Sequence, residues 1–477
     1  MNRVKLALPK GRLMSETAAL LDQACWGMHD YYEGTRSYRV TCEKFPDLMT
    51  KIFHEKDIPI QVATGNYDLG ICGLDWVEEL IVKYPNSALI KLKDLGYGEG
   101  AVFAVGIRNG ENSELDAIKA RRNTVRLVSE YPNLAESFAL KLRLRRFSVF
   151  PLWGAAEVYP PDSADLALIA ATPGATTFNH GLRVIDTVFS FGACLIANRD
   201  RWESHDLSEV LQSLEDTVPA WHQSHFDTKS APKPINDDST ENGPFTPIPE
   251  RVVRLALPDG HQQSSAVALL KKAGLRMDDY PSPAGNRRPA IVGMEDISIK
   301  VIRPQDMPQQ VAAGNFDLAV TGIDWLRDHL YQFPDSPATD LLDLKLAPVR
   351  IVALVSNELP VSNGYELREL WSRRAAGIRV ASEYTNIADS YARENHMGRY
   401  RIIPTWGASE AFLPEDADLL IENTQTGQTI ARHNLKIIDT LFESTGHLIG
   451  NRDSLTDPVK QPVIQRIIGI LQRAVEN

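Results

Sequence analysis

The sequence predicts an α/β protein built as a tandem duplication of one unit, and three observations predict it. The chain repeats itself at a nearly fixed offset. Strand-like apolar runs alternate with helical patterns inside each repeat. A segment rich in proline and polar residues separates the two copies.

The repeat comes first because it sets the organisation. Val4-Lys5-Leu6-Ala7-Leu8-Pro9 returns as Val253-Arg254-Leu255-Ala256-Leu257-Pro258, a shift of 249. Asp57-Ile58-Pro59 returns as Asp306-Met307-Pro308, and Gly73-Leu74-Asp75-Trp76 as Gly322-Ile323-Asp324-Trp325, at the same shift. Downstream the shift is 253: Ser129-Glu130-Tyr131 matches Ser382-Glu383-Tyr384, Trp153-Gly154-Ala155 matches Trp406-Gly407-Ala408, and Ala164-Asp165-Leu166 matches Ala417-Asp418-Leu419. The second copy therefore carries four extra residues, net, between Trp325 and Ser382. Units are expected at 1–226 and 251–477. The linker, 227–250, contains Ala231-Pro232-Lys233-Pro234 and is long enough to let the copies pack side by side as an internal pseudo-dimer.

Within each copy the elements follow from local pattern. Val4 to Leu8 reads as a strand and Ser15 to Leu21 as the helix after it. Leu69 to Cys72 is a strand ending in Gly73, and Val125 to Val128 is another, with Asn133 placed to cap a helix from Leu134. Ala164 to Leu168 reads as a strand before a Gly-Thr turn. The spacing of Leu207, Val210, Leu211 and Leu214, and of Val463, Ile464, Ile467, Ile468 and Leu471, gives each copy a closing helix with one apolar face. Such βαβα alternation implies parallel-rich sheets covered by helices.

Composition excludes several classes. The 477 residues correspond to two to four domains at roughly 100–200 residues each, and 43% hydrophobic residues suffice for real cores. A net charge of −11 and a pI near 5.6 argue against nucleic acid as a partner, although an acidic protein can still hold one basic pocket. The cysteines Cys25, Cys42, Cys72 and Cys194 form no C-x-x-C pair, so neither a disulfide framework nor a zinc site is expected. No uncharged apolar run reaches about 18 residues and no signal core opens the chain, so the cytoplasm is expected and a membrane is not.

The main chemical signal lies in Ala417-Asp418-Leu419-Leu420-Ile421-Glu422-Asn423-Thr424-Gln425-Thr426-Gly427-Gln428-Thr429. An apolar strand ends in a carboxylate, and a Thr-Gly-x-Thr turn opens a helix. Gly427 lets backbone N–H groups approach an oxyanion, and Thr426 and Thr429 offer hydroxyl donors, which suits a sugar 5-phosphate. Glu422 is placed to accept from ribose hydroxyls. A plain strand-to-helix turn with a threonine cap fits the same residues. In the first copy Ile169 replaces the carboxylate and Pro173 the first threonine, leaving Gly174 and Thr176 to hold at most a simple anion.

Leu8-Pro9-Lys10-Gly11-Arg12-Leu13, Asp68-Leu69-Gly70-Ile71-Cys72-Gly73, Asp94-Leu95-Gly96-Tyr97-Gly98, Glu130-Tyr131-Pro132-Asn133-Leu134 and the turn from Gly174 to Thr177 occur in one order. In that order the chain resembles the ATP phosphoribosyltransferase family of histidine biosynthesis, across both copies but not the linker. The resemblance implies two-lobed units like the type II periplasmic-binding-protein fold, with a site in the cleft. It also implies phosphoribosyl pyrophosphate as donor, ATP as acceptor and Mg²⁺ as cofactor. Cations must neutralise a departing diphosphate as positive charge grows at C1.

The copies divide the family's residues. Lys10 and Arg12 belong to the first, where the second has Asp259 and His261. Arg303 and Arg350 belong to the second, where the first has His54 and Ala101. Expected catalytic residues are Glu422, Arg303, Arg350, Lys10 and Arg12, with substrate held by 423–429 and by Gly174 and Thr176. One site completed by both copies, and a second-copy site beside a scaffold or regulatory copy, both fit. These divergences put ATP as acceptor in question. A non-catalytic metabolite sensor is the alternative in a different class. Asp165, Asp418, Asp75 and Asp324 read equally as caps, Trp153 and Trp406 as packing residues, and Tyr97 as cleft lining or hinge. One amphipathic helix ends the sequence, so feedback through an appended domain is not expected.

Overall fold

A computed structural model describes residues 4–35, 37–107, 118–119, 123–172, 182–204, 206–218, 248–283, 285–373, 377–407 and 409–476. The chain divides into two compact units. One comprises Met1–Leu152, Ala164–Gly243 and Trp406–Ala411, and the other Trp153–Ser163, Pro244–Thr405 and Phe412–Asn477.

The first unit has two sheets, one per lobe. Its strands are β1 (Lys5–Lys10), β2 (Arg39–Val40), β3 (Met49–His54), β4 (Leu69–Gly73), β5 (Leu89–Asp94), β6 (Gly100–Ile107), β7 (Val125–Ser129), β8 (Phe147–Pro151), β9 (Leu166–Ala171), β10 (Leu182–Phe191) and β11 (Ala193–Asn198). One sheet has the order β2-β3-β1-β4-β11-β5 and the other β10-β6-β9-β7-β8. The apolar faces of β1 and β4 meet the helix Met14–Gln23 in a core around Leu6, Leu8, Leu13, Trp26 and Leu69.

The second unit repeats this path through β12 (Val253–Pro258), β13 (Ile297–Ile302), β14 (Leu318–Gly322), β15 (Ala338–Ser356), β16 (Ile378–Ser382), β17 (Tyr400–Pro404), β18 (Leu419–Thr424) and β19 (Leu435–Asn451). Here one sheet, β13-β12-β14-β19-β15-β18-β16-β17, runs through both lobes because β15 and β19 are 19 and 17 residues long. Separate cores form around Leu255, Val301 and Ile464 and around Ile351, Val380 and Tyr384.

In the first unit the strand path between the lobes breaks at Gly96 and Gly98, with φ of +74° and +66°. Lys345 and Ala347 stand at these positions in the second unit, and they keep positive φ, +55° and +41°. A side chain there costs about 1 kcal/mol or more, yet the second unit keeps the turn geometry without the glycines. Tyr97, between the two glycines, hydrogen bonds Thr17 Oγ1 through its hydroxyl at 2.8 Å.

Several sequence expectations need correction. The sheets are mixed rather than parallel-rich: β11 runs antiparallel to β4 and β5, and β6 antiparallel to β9 and β10. Antiparallel returns between lobes leave no distinctive local pattern. The strand expected from Ala164 begins at Leu166, because Asp165 turns its carboxylate onto the Arg126 backbone N–H at 2.8 Å. Asp418 does the same to Arg379 at 2.9 Å, which makes both aspartates structural. The four extra residues also localise further. Phe103 faces Ile169 and Val352 faces Glu422 across equivalent ladders, so they lie between Val352 and Ile378. Among the described residues no helix is long and apolar enough to cross a membrane.

Candidate functional site

Strand β18 does not stop at Glu422; it continues through Thr424 because the ladder to β15 holds, pairing Val352 with Glu422 and Arg350 with Thr424. Residues directly opposite in a ladder share a face. Glu422, Thr424 and Arg350 thus lie on one face of the sheet. Thr424 is buried and Arg350 exposed. Gln425 and Thr426 then form an exposed turn, and Gly427, at φ +74°, caps the short helix Gln428–Arg432. Thr429 is also exposed, so both threonine hydroxyls border solvent beside the turn.

Glu422 is oriented rather than loose. Its Oε1 accepts from the Asn423 backbone N–H at 2.9 Å and from Asn423 Nδ2 at 3.0 Å. Asn423 Nδ2 also donates to the Tyr384 hydroxyl at 3.1 Å, and that hydroxyl donates to Asp324 Oδ2 at 2.7 Å. Ser444 Oγ donates to Asp324 Oδ1 at 3.0 Å. Burial pushes the Asp324 carboxyl above its ordinary range, and the Tyr384 and Ser444 hydrogen bonds work against that. Burial and the neighbouring Asp324 push the Tyr384 hydroxyl far up, so it stays a donor.

Arg303 lies at the end of β13 and pairs with Asp259 Oδ1 at 3.4 Å. Arg287 Nη1 donates to the other carboxylate oxygen at 2.9 Å. The structure therefore brings Glu422, Asn423, Thr424 and Arg350 together on one strand pair, while the ion pair of Arg303 is with Asp259.

In the first unit Arg12 is engaged at its own cleft. Its Nη2 donates to Asp75 Oδ1 and Oδ2, both at 2.7 Å, and its Nε to Glu55 Oε2 at 2.9 Å. The Tyr131 hydroxyl donates to Asp75 at 2.7 Å, and the guanidinium lies over the Phe191 ring at 4.7 Å. Burial opposes the charge, but Asp75 and Glu55 outweigh it and hold the guanidinium above its ordinary range. Lys10 is exposed at the end of β1, its ammonium 5.1 Å from the centre of the Tyr38 ring. His54, at the position of Arg303, is pushed down to about 4 by burial and by the Lys56, Lys10 and Arg12 charges, so it is neutral. Gly174 and Thr176 lie outside the described residues.

Three expected caps are differently made. Gly73 and Gly322 are the N-cap residues before Asp75 and Asp324, and neither aspartate caps; both face the tyrosine of the opposite lobe. Asn133 does not cap its helix. Glu79 of the helix Leu74–Lys83 accepts from the Asn133 and Leu134 backbone N–H groups, each at 2.9 Å. Asp328 does the same for Asn386 and Ile387, each at 3.0 Å. Trp153 packs edge-on against Trp325, with centroids 5.7 Å apart. Sequence reasoning missed Arg287, Ser444 and the Tyr384 link. The only available signal was the change at aligned positions, Tyr38 to Arg287 and Phe191 to Ser444.

The family model for ATP phosphoribosyltransferase matches the chain twice, over residues 54–216 and 303–473. The ATP phosphoribosyltransferase of Prosthecochloris aestuarii is 30% identical over 231 residues, covering 47% of this chain and 72% of that protein. The Pelotomaculum thermopropionicum enzyme is 28% identical over 233 residues, covering 47% and 73%. Among solved structures, the ATP phosphoribosyl transferase (HisG:HisZ) complex from Thermotoga maritima matches with a TM-score of 0.39 and 22% identity, covering 47% of this chain and 99% of that one. With one matched segment in each repeat and more than half of the chain covered, the chain belongs to the ATP phosphoribosyltransferase family.

Proposed function

We propose that the protein transfers ribose 5-phosphate from phosphoribosyl pyrophosphate to a nitrogen heteroaromatic acceptor, releasing pyrophosphate, at the Glu422–Thr429 segment of the second unit. One observation carries this reading. The second unit puts a carboxylate, a cation and a glycine turn with two exposed threonines on one strand pair, where the first has Ile169 and Ala101.

The chemistry follows from those groups. Backbone N–H groups of the turn and the Thr426 and Thr429 hydroxyls hold the 5-phosphate. Glu422, oriented by Asn423, accepts from ribose hydroxyls. The C1–O bond breaks and diphosphate leaves with the electron pair, while the acceptor nitrogen's lone pair forms the N–C1 bond. Arg350 supplies positive charge beside the turn. Among the described residues no group of three or more His, Cys, Asp or Glu side chains forms a metal site. Magnesium sites often combine one or two carboxylates with substrate phosphates, so the donor's own diphosphate oxygens would be its main ligands, with Glu422 left to the ribose hydroxyls. When bound, such an ion would supply charge neutralisation at the leaving group.

The test is titration calorimetry with phosphoribosyl pyrophosphate and Mg²⁺ on the full chain. Replacing Thr426 and Thr429 by Ala together is expected to weaken donor binding at least tenfold. If Thr176→Ala does so and the double variant does not, the site belongs to the first unit. A non-catalytic sensor is a second reading, favoured by the engagement of Arg12 with Asp75 and Glu55 and of Arg303 with Asp259. Pyrophosphate release separates the two. Donor binding without release for any heteroaromatic acceptor supports the sensor.

A further inference from the structure

The corner formed by the ends of β12 and β13 in the second unit holds a charge arrangement unlike its counterpart. Asp259 is buried, and its two oxygens meet Arg287 at 2.9 Å and Arg303 at 3.4 Å. Arg287 is fixed further by donating to the Val301 carbonyl at 3.3 Å and by Glu157 at 3.8 Å. Tyr159 is fully buried, interacts electrostatically with Asp259, Asp306, Glu157 and Arg287, and has no hydrogen-bond partner for its hydroxyl among the described residues. Register makes the comparison with the first unit secure. The Val301 N–H donates to the Arg287 carbonyl at 2.8 Å, as the Ile52 N–H does to the Tyr38 carbonyl at 2.8 Å. Tyr280 donates to the Pro258 carbonyl as Tyr31 does to that of Pro9. At three aligned positions, therefore, Lys10, Tyr38 and His54 have become Asp259, Arg287 and Arg303.

The carboxyl ends of parallel strands are where α/β sheets receive ligands. Two guanidinium groups there would ordinarily grip a phosphate or diphosphate. We infer that Asp259 is a specificity-determining residue, a resident counter-ion that occupies both arginines and turns polyanions away from this corner. A polyanion entering it must displace a buried carboxylate already bonded to the same donors, or face it as a like charge. If this corner receives the acceptor, which rests on the phosphoribosyl-transfer reading, the acceptor is a heteroaromatic of low negative charge rather than a nucleoside triphosphate.

The experiment uses inorganic tripolyphosphate as probe, titrated into the full chain, with phosphoribosyl pyrophosphate titrated in parallel. Asp259→Asn keeps an acceptor for Arg287 and removes the charge. It is expected to bind tripolyphosphate at least tenfold more tightly than wild type, and adding Arg303→Gln should cancel the gain. No gain in a variant with unchanged circular dichroism overturns the inference. Should Asp259→Asn not fold, Arg303→Gln alone decides. Tripolyphosphate affinity within twofold of wild type supports a guanidinium already neutralised, and a tenfold loss overturns it. Donor binding separates the two levels. A tripolyphosphate gain without donor binding in wild type removes the transferase reading and leaves this one standing. Donor binding without the gain does the reverse.

Discussion

Asp75 and Asp324 occupy the same place in the two units, each buried after a glycine at the start of a helix and each receiving a hydrogen bond from the opposite lobe's tyrosine. Their other partners differ. Asp75 is bound by the Arg12 guanidinium, which rests on Phe191. Asp324 has the Ser444 hydroxyl, with Ser444 at the position of Phe191 and His261 at that of Arg12. A buried carboxylate needs its oxygens satisfied, and where the second unit has no arginine the Ser444 hydroxyl serves Asp324 Oδ1. The comparison teaches that the first cleft is bound by a charged latch and the second by neutral hydrogen bonds.

Removing the latch tests this most severely. Arg12→Ala leaves Asp75 and Glu55 buried without their cation, and is expected to destabilise the first unit by about 3–5 kcal/mol. Ser444→Ala should cost the second unit only about 1–2 kcal/mol. Urea denaturation of both variants measures the difference, and equal losses would break the comparison. A subtler contrast comes from the tyrosines. Tyr384→Phe keeps the ring against Trp325, at 4.3 Å, but removes one of two side-chain donors to Asp324. About 2 kcal/mol of destabilisation is expected, as for a hydrogen bond to a charged group. Tyr131→Phe should cost less than that, because Arg12 still holds Asp75.

The smallest effect is a pH dependence. Burial pushes the Glu79 carboxyl up to about 7, against the hydrogen bonds it accepts from Asn133 and Leu134. Its ordinary value, 4.5, applies in the unfolded chain. Between these values the folded state binds the extra proton, so stability is greater at low pH and is lost as pH rises toward 7. Glu79 is expected to contribute a loss of about 1 kcal/mol between pH 6 and 7. Glu79→Gln should flatten that slope for the first unit, and an unchanged slope would assign the titration elsewhere.

Much of the organisation was legible because it is local. Offsets of 249 and 253, the strands at Val4 and Leu69, and the Thr-Gly-x-Thr turn each need only neighbouring residues. Partners far apart in the chain were not legible. Glu79 caps a helix 54 residues away, and Arg287 meets Asp259 across 28. Asn133 fits a cap by type and position, yet a carboxylate from another helix takes those N–H groups. Charge at a strand end says nothing about what faces it.

The order of residues alone determined that the chain contains one α/β unit twice, where several of its strands and helices fall, and which copy keeps the Glu422–Thr429 loop, because periodicity and turn chemistry act over a few residues. Only the tertiary structure decided the antiparallel returns between lobes, the exchange of Arg12 for Ser444 as partner of the buried aspartate, and the pairing of Arg303 with Asp259. Those outcomes depend on distance and burial between residues the chain keeps apart, and an ion pair or hydrogen bond exists only once folding has removed the water and brought both ends within about 3 Å.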